Sequence, residues 1–193
     1  MIMKKNDIAN YSVMERLQDG RLVTIRAIRP EDKGRVADAI RKISPESLYR
    51  RTFSTKRELG DHELDQLTKV DFENVIALVA VMNEEKQDRI VGGGRYIRIG
   101  TSGALPKAEV AFLIDDAYQG LGIGSRIFRH LVTIARTSGI VRFEAEVLPS
   151  NEGMLRLFTR SGLPVARTTS RDSIHVTIDL NAPDAAVNSG KSP

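Results

Sequence analysis

A chain of 193 residues is long enough for one domain with a sizeable core, and 41% hydrophobic with 28% charged residues is an ordinary globular balance. The absence of cysteine excludes disulfides, a thiol nucleophile and a cysteine-based metal site, and His62, His130 and His175 stand too far apart for a metal-binding spacing. A formal charge of +4 without any Trp suits a polyanionic small ligand and argues against nucleic acid, which asks for a denser basic stripe interleaved with aromatics.

Residues 1–19 are polar and weakly patterned and read as an extended N-terminal arm. The opening MIMKKNDIANYSVM lacks the apolar run of a signal peptide, and no segment approaches the roughly 20 apolar residues that span a bilayer. The expectation is a reduced, cytoplasmic protein with no membrane partner and no metal. RLVTIRAIRP (21–30) alternates as a first strand and stops at Pro30. PEDKGRVADAIRKI then starts a helix on a proline and two acids, and SPESLYRRTF repeats the logic with Ser44 as N-cap and Pro45 at the first helical position. DHELDQLTKV (61–70) is a third short helix. Arg41, Lys42, Arg50, Arg51, Lys56 and Arg57 form a basic cluster on these early helices, either a solvated surface or a guide for an acidic partner.

VIALVAVM (75–82) is a continuous apolar run of strand length, suited to burial on both faces. RIVGGGRYIRI (89–99) returns beside it. Its three glycines lack the Gly-Lys-Ser/Thr of a phosphate loop, so they indicate a bulge or a close backbone approach. AEVAFLI (108–114) is the next strand and carries one carboxylate, Glu109. A helix follows from about residue 122 to Ser138, with Ile123, Ile127, Leu131 and Ile134 on one face and Gly139 at its end. VRFEAEVL (141–148) alternates as a strand, NEGMLRLFTRSG (151–162) is a helix with an Asn N-cap, and LPVARTT and SIHVTIDL are closing strands. Residues 181–193 hold too little apolar content to pack and read as a disordered tail. Residues 20–180 therefore form one α/β domain.

The turn Gln119-Gly120-Leu121-Gly122-Ile123-Gly124-Ser125 joins an apolar strand to a helix. A helix start carries unpaired N–H groups and partial positive charge, and glycines let an anion approach them. The alternative is a tight turn that merely packs closely. A dinucleotide fingerprint fits poorly, because the third glycine falls one residue early and five residues separate the strand from the first.

Gln-x-x-Gly-x-Gly after an apolar strand resembles the acetyl-CoA signature of the GNAT superfamily of N-acetyltransferases. DGRLVTIRAIRPED, ISPESLYRRTF, LTKVDFENVIALVAV and AEVAFLIDDAYQGLGIG resemble, in that order, the catalytic domain of bacterial protein lysine acetyltransferases that modify acyl-CoA synthetases. The resemblance implies a single GNAT-type α/β domain with a mixed central sheet of six to seven strands, splayed at the acetyl-CoA site, and four to five helices. It implies acetyl-CoA as co-substrate and a protein lysine as acceptor. The cofactor would meet Gln119, Gly120, Leu121, Gly122, Ile123, Gly124 and Ser125, the backbone of Phe112, Leu113 and Ile114, and Asn151. Phe158 stands where many relatives carry a Tyr that protonates the thiolate; Phe cannot, and core packing is its other reading. Ser125 and Arg126 are candidates for the phosphates, Arg126 equally a surface charge.

An amine of pKa near 10.4 is mostly charged at neutral pH, so transfer to it needs a base. Glu109 is the candidate. In so apolar a strand it is expected to be partly desolvated, which raises its pKa towards a useful range. The competing role is an ion pair with Arg95 or Arg98. Three functions fit: a protein lysine acetyltransferase, a small-molecule amine N-acetyltransferase, and a non-catalytic acyl-CoA sensor.

Overall fold

The computed structural model describes residues 3–52, 58–84, 87–100 and 104–182. Lys56, Arg57 and residues 183–193 of the expected tail lie outside them. One mixed sheet of eight strands organises the domain: β1 (Ser12–Arg16), β2 (Leu22–Ala27), β3 (Val75–Glu84), β4 (Gln87–Ile99), β5 (Lys107–Ile114), β6 (Arg142–Val147), β7 (Val165–Thr169) and β8 (Ile174–Asp179), in the spatial order β1-β2-β3-β4-β5-β6-β8-β7. All neighbours are antiparallel except β5 and β6. The helices are α1 (Lys5–Ala9), α2 (Lys33–Lys42), α3 (Pro45–Thr52), α4 (Asp61–Thr68), α5 (Ile123–Thr137) and α6 (Glu152–Thr159), with 3-10 turns at Pro30–Asp32 and Asp116–Tyr118.

The sheet has one strand more than the sequence indicates, and that strand comes from the expected arm. β1 pairs with β2 along its whole length, and Ile8 and Leu17 on either side of it are buried. Its signal is weak because it is an edge strand whose residues alternate only between exposed and half-buried, so Ser12, Met14 and Arg16 face solvent.

α5 has a strongly apolar face, and it packs with α6 on one side of the sheet. Ile123, Ile127, Leu131 and Ile134 are at most 1% exposed there, as their helical spacing predicts. α2, α3 and α4 cover the other side over Ala77, Val79, Val81 and Ile90. The chain enters α2 through a buried ion pair: Arg26 grips Asp32 with two bonds of 2.7 Å, and Asp32 also accepts the Arg29 amide at 2.9 Å. Burial pushes the Asp32 carboxyl upward, but Arg26 outweighs it and the net pKa is lowered.

The three glycines of β4 have the packing role read for them. A Cβ on Gly94 would stand 2.6 Å from Phe112 Cδ1 and 2.7 Å from Ile127 Cγ2, and one on Gly92 would stand 2.6 Å from Ile114 Cδ1. The register also slips beside them, between Ala80 and Val81 of β3. Gly92 and Gly94 thus let the side chains of β5 and α5 close onto β4, while a Cβ on Gly93 would stand 3.3 Å from Leu78 O of β3.

Candidate active site

β5 and β6 pair for three residues only, Lys107↔Arg142, Ala108↔Phe143 and Glu109↔Glu144. Beyond Glu109, β5 follows β4 to Ile114, and beyond Glu144, β6 follows β8 to Val147. Each strand's outer neighbour holds it, so the inner edges part and leave a wedge. Asp115 N donates to Val91 O on β4 at 3.1 Å. By strand alternation the amides of Leu113 and Ala111 turn the same way, while those of Ile114, Phe112 and Val110 turn into the wedge. Of the three residues whose backbone is expected to meet the cofactor, Phe112 and Ile114 turn their amides into the wedge and Leu113 turns its amide towards β4.

At the wide end of the wedge the glycine turn begins α5. Gly120 and Gly122 both hold φ +79°, a conformation glycine adopts without strain, and no acid lies in the first turn of the helix. A Cβ on Gly120 would meet nothing within 4 Å, so the space there is open, whereas one on Gly122 would stand 2.6 Å from the Arg126 guanidinium. Ser125 is exposed at the third helical position. Gly124 has a different role: its Cβ would lie 2.9 Å from Leu157 Cδ1, so it lets α6 close on α5. Asn151 caps α6 through a 3.1 Å bond from Met154 N to Oδ1, just beyond the end of β6. Gln119 to Ser125 therefore follow the end of β5 on one side of the wedge, and Asn151 follows the end of β6 on the other.

The side chains expected to touch a cofactor divide. Gln119 Nε2 donates to Asp116 Oδ1 at 2.8 Å and to Ile114 O at 3.3 Å, so it braces the turn. Ile123 and the Phe112 side chain are buried and offer only backbone. Leu121 packs half-buried against the core. Phe158 is 0% exposed, with its ring 5.6 Å from that of Phe128 and 6.3 Å from that of Phe112. Grouped with the cofactor-contacting residues by the resemblance, Phe158 is here an apolar ring that completes the core, in keeping with its other reading. Arg126 is not a free surface charge. It donates to Arg16 O at 2.7 Å and Gly122 O at 3.1 Å, and its Nε lies 3.0 Å from Glu15 Oε2.

Two polar clusters that the sequence reading missed hold the turn. Asp116 accepts from Ser44 N at 2.8 Å and from Ser47 Oγ at 2.5 Å, tying the start of α3 to the turn. Arg89 binds Asp115 at 2.6 Å and Tyr118 OH at 3.2 Å, and Tyr118 OH donates to Glu84. No periodicity marks such long-range pairs; the run DDAYQ, rich in side chains that cap and bond backbone, is the one local sign.

Glu109 stands at the narrow end, on the side of the sheet covered by α2–α4. It is exposed, so the burial expected around it is not found. Among the described residues its carboxylate makes no hydrogen bond and no ion pair within 4.0 Å. Arg98 binds the carbonyls of Glu73 and Ser138, and Arg95 feels the charge of Glu109 without contacting it. Glu144, across the register, is taken by Lys107 at 3.0 Å. From Glu109 to Ile114 the strand covers about 17 Å. Among the described residues no group of His, Asp or Glu is placed to hold a metal, and no helix is long and apolar enough to cross a membrane.

A splayed mixed sheet with a glycine-started helix is the GNAT arrangement, and the sequence profile of the acetyltransferase (GNAT) family matches residues 43–163. The chain belongs to that family and is an acetyltransferase. It is 34% identical over 163 residues to acetyltransferase PA5475 of Pseudomonas aeruginosa, covering 84% of this chain and 86% of the relative. It is also 34% identical over 146 residues to acetyltransferase Pat of Mycolicibacterium smegmatis, covering 76% of this chain but 42% of that longer protein. The crystal structure of the GNAT domain of S. lividans PAT superposes with a TM-score of 0.78 at 32% identity, over 87% of this chain and 96% of that domain.

Proposed function

We propose that the protein transfers the acetyl group of acetyl-CoA to lysine side chains of proteins, with Glu109 as general base. The wedge carries this reading. From a carboxylate that is exposed and unpaired among the described residues, about 17 Å of β5 leads to Ile114, and the glycine-rich helix start follows it, which suits a long, thin co-substrate with phosphates at one end and a reactive group at the other. Bound acetyl-CoA supplies an activated acetyl thioester. The residues present fit it: the first turn of α5 brings its amides beside the open space at Gly120, and the inner edge of β5 offers the amides of Phe112 and Ile114. Those backbone groups need partners, and an extended chain bearing amides satisfies them. The same amides are fixed donors for a carbonyl oxygen on which charge builds.

Glu109 takes the proton of the attacking amine, directly or through one water. Its exposure lets a protein side chain reach it, and a docked acceptor desolvates it. Without cysteine, direct transfer needs no covalent enzyme intermediate. Similarity to Pat and to the S. lividans PAT domain supports a lysine acceptor. The test is mass spectrometry of a protein mixture incubated with the enzyme and isotope-labelled acetyl-CoA. Labelled acetyl-lysine that depends on Glu109 is expected; labelled small amines without any labelled protein overturn the choice of acceptor.

A further inference from the structure

The side of the sheet that faces α2–α4 is not filled. A cavity of about 440 Å³ lies between these helices and the sheet. Its volume falls in the range of small-molecule pockets, roughly 300–1,000 Å³, far above a packing defect. Its walls are apolar, with Val36, Ile40 and Leu67 among them. Its floor is built for space: Arg95 of β4 stands in register between Ala77 of β3 and Ala111 of β5, with Gly93 two residues before it.

Arg95 is the one cation among the described residues that line this cavity. It is half-buried, and among the described residues it makes no hydrogen bond and has no carboxylate within 4.0 Å. The two acids on the cavity wall are engaged elsewhere. Glu63 accepts the Gly60 amide at 2.8 Å, and Asp115 holds Arg89. Burial pulls the Arg95 pKa below its ordinary value against the opposing charge of Glu109, yet a guanidinium stays protonated. A desolvated cation without a partner is costly to keep, and a guanidinium fork matches a carboxylate in shape and charge.

We propose that this cavity binds a short apolar chain ending in a carboxylate, carried by one of the two reactants and held by Arg95. The proposal rests on the acyl-transfer reading of the wedge, because the cavity opens beside β5 on the same side of the sheet as Glu109. The carboxylate belongs either to a dicarboxylic acyl donor or to an amine acceptor of the amino-acid kind. In both cases the transfer is the same. The amine nitrogen bonds to the acyl carbon, the carbon–sulfur bond breaks, the thiolate leaves with the electron pair, and the amine proton goes to the base.

Two arms separate the sources, using the full chain. The donor arm compares succinyl-CoA with acetyl-CoA on one lysine peptide. The acceptor arm compares 4-aminobutyrate with butylamine, using acetyl-CoA. The quantity read is the ratio of kcat/KM for the charged and neutral partner within each protein. One arm is expected to favour the carboxylate by about tenfold or more, the worth of one charge-assisted pair. Arg95→Met is expected to abolish that ratio, and Arg95→Lys to keep part of it. Glutarate is expected to raise the melting temperature of the wild type and not of a folded Arg95→Met. That melt is independent of turnover, so a glutarate effect that needs Arg95 sustains the pocket even if no protein lysine is modified. A ratio near one in both arms with no glutarate effect overturns the proposal. So does a preference that survives in Arg95→Met.

Discussion

The two sides of the sheet are finished differently. Against α5 and α6 the packing is complete: Tyr96, Phe143, Phe158, Ile123, Ile127, Leu131 and Ile134 are all under 2% exposed, and three phenylalanines meet edge to face. Against α2–α4 the sheet carries alanines, a glycine, an arginine without a partner among the described residues and an exposed glutamate, with a cavity above them. A core cannot leave volume empty or a cation unpaired without losing stability. If Glu109 and Arg95 act as proposed, stability rests on the first side and proton transfer on the second, and substitutions on the two sides should separate these properties.

Glu109→Gln should give the largest effect, on the open side. Gln keeps the shape but takes no proton, so turnover at neutral pH should fall by about 10²- to 10⁴-fold. Raising the pH should recover part of it, because solvent then deprotonates an amine of pKa near 10.4. The exposed carboxylate holds nothing in place, so stability should change by less than about 0.5 kcal/mol. Rates between about pH 6.5 and 9.5 together with a melt decide. Near wild-type turnover at neutral pH would remove Glu109 from the mechanism.

Phe158→Ala tests the closed side. A fully buried ring lost from a packed cluster should cost about 3–5 kcal/mol, on the order of ten degrees in Tm. Phe158→Tyr should cost less, about 1–3 kcal/mol, for a hydroxyl buried among rings. Little change in Tm for either variant would mean that the residue faces the wedge after all.

The closed side is also the more legible one. Its residues recur at helical and strand spacing, so Ile123, Ile127, Leu131 and Ile134 are readable as one face from their spacing alone. The glycine turn and Glu109 are readable too, because they interrupt a pattern. β1 is not, since a half-covered edge strand of five residues has no apolar alternation to show. Phe158 admits two readings because residue type does not say which way a helix turns. The environment of Glu109 is misjudged from sequence for a related reason. Apolar neighbours along a strand alternate to the other side, so they do not bury the residue between them. Asp116, and Arg95 as a cavity residue, depend on contacts between distant segments, which leave no local mark.

Ser125→Asp sets the two properties against each other at one residue. The first turn of α5 has no acid, and Ser125 is exposed there. A carboxylate at that position favours the helix by about 0.3–1 kcal/mol. It also puts negative charge beside the proposed phosphate site. Like charges about 6 Å apart in an effective dielectric near 20 repel by roughly 2–3 kcal/mol, or about 30- to 150-fold in affinity. Calorimetry with acetyl-CoA and a melt should therefore move in opposite directions. A higher Tm with unchanged affinity would place the phosphates elsewhere.

The smallest effect concerns pH, and it too should divide by side. His130 of α5 is 8% exposed, with Tyr11 OH 2.5 Å from Nδ1 and Glu15 Oε1 2.9 Å from Nε2. Burial lowers its pKa from 6.5, against the opposing charge and hydrogen bond of Glu15, while the charge of Arg129 lowers it further. The unfolded chain thus takes up this proton more readily than the folded one. Stability is present above about pH 6.5 and is lost as the pH falls through that value towards the lower folded pKa. Glu15 adds nothing in this window. Its own pKa is lowered because Arg129 and His130 outweigh its burial, so its contribution fades only below about 4.5. Between about pH 7.5 and 5.5 the wild-type Tm should drop, and in His130→Gln it should drop less. The same substitution should leave the shape of the pH–rate profile alone, because the proton that matters for turnover is on the open side. If His130→Gln instead shifts the pH–rate profile, the two sides are coupled through α5 and the division between stability and chemistry fails.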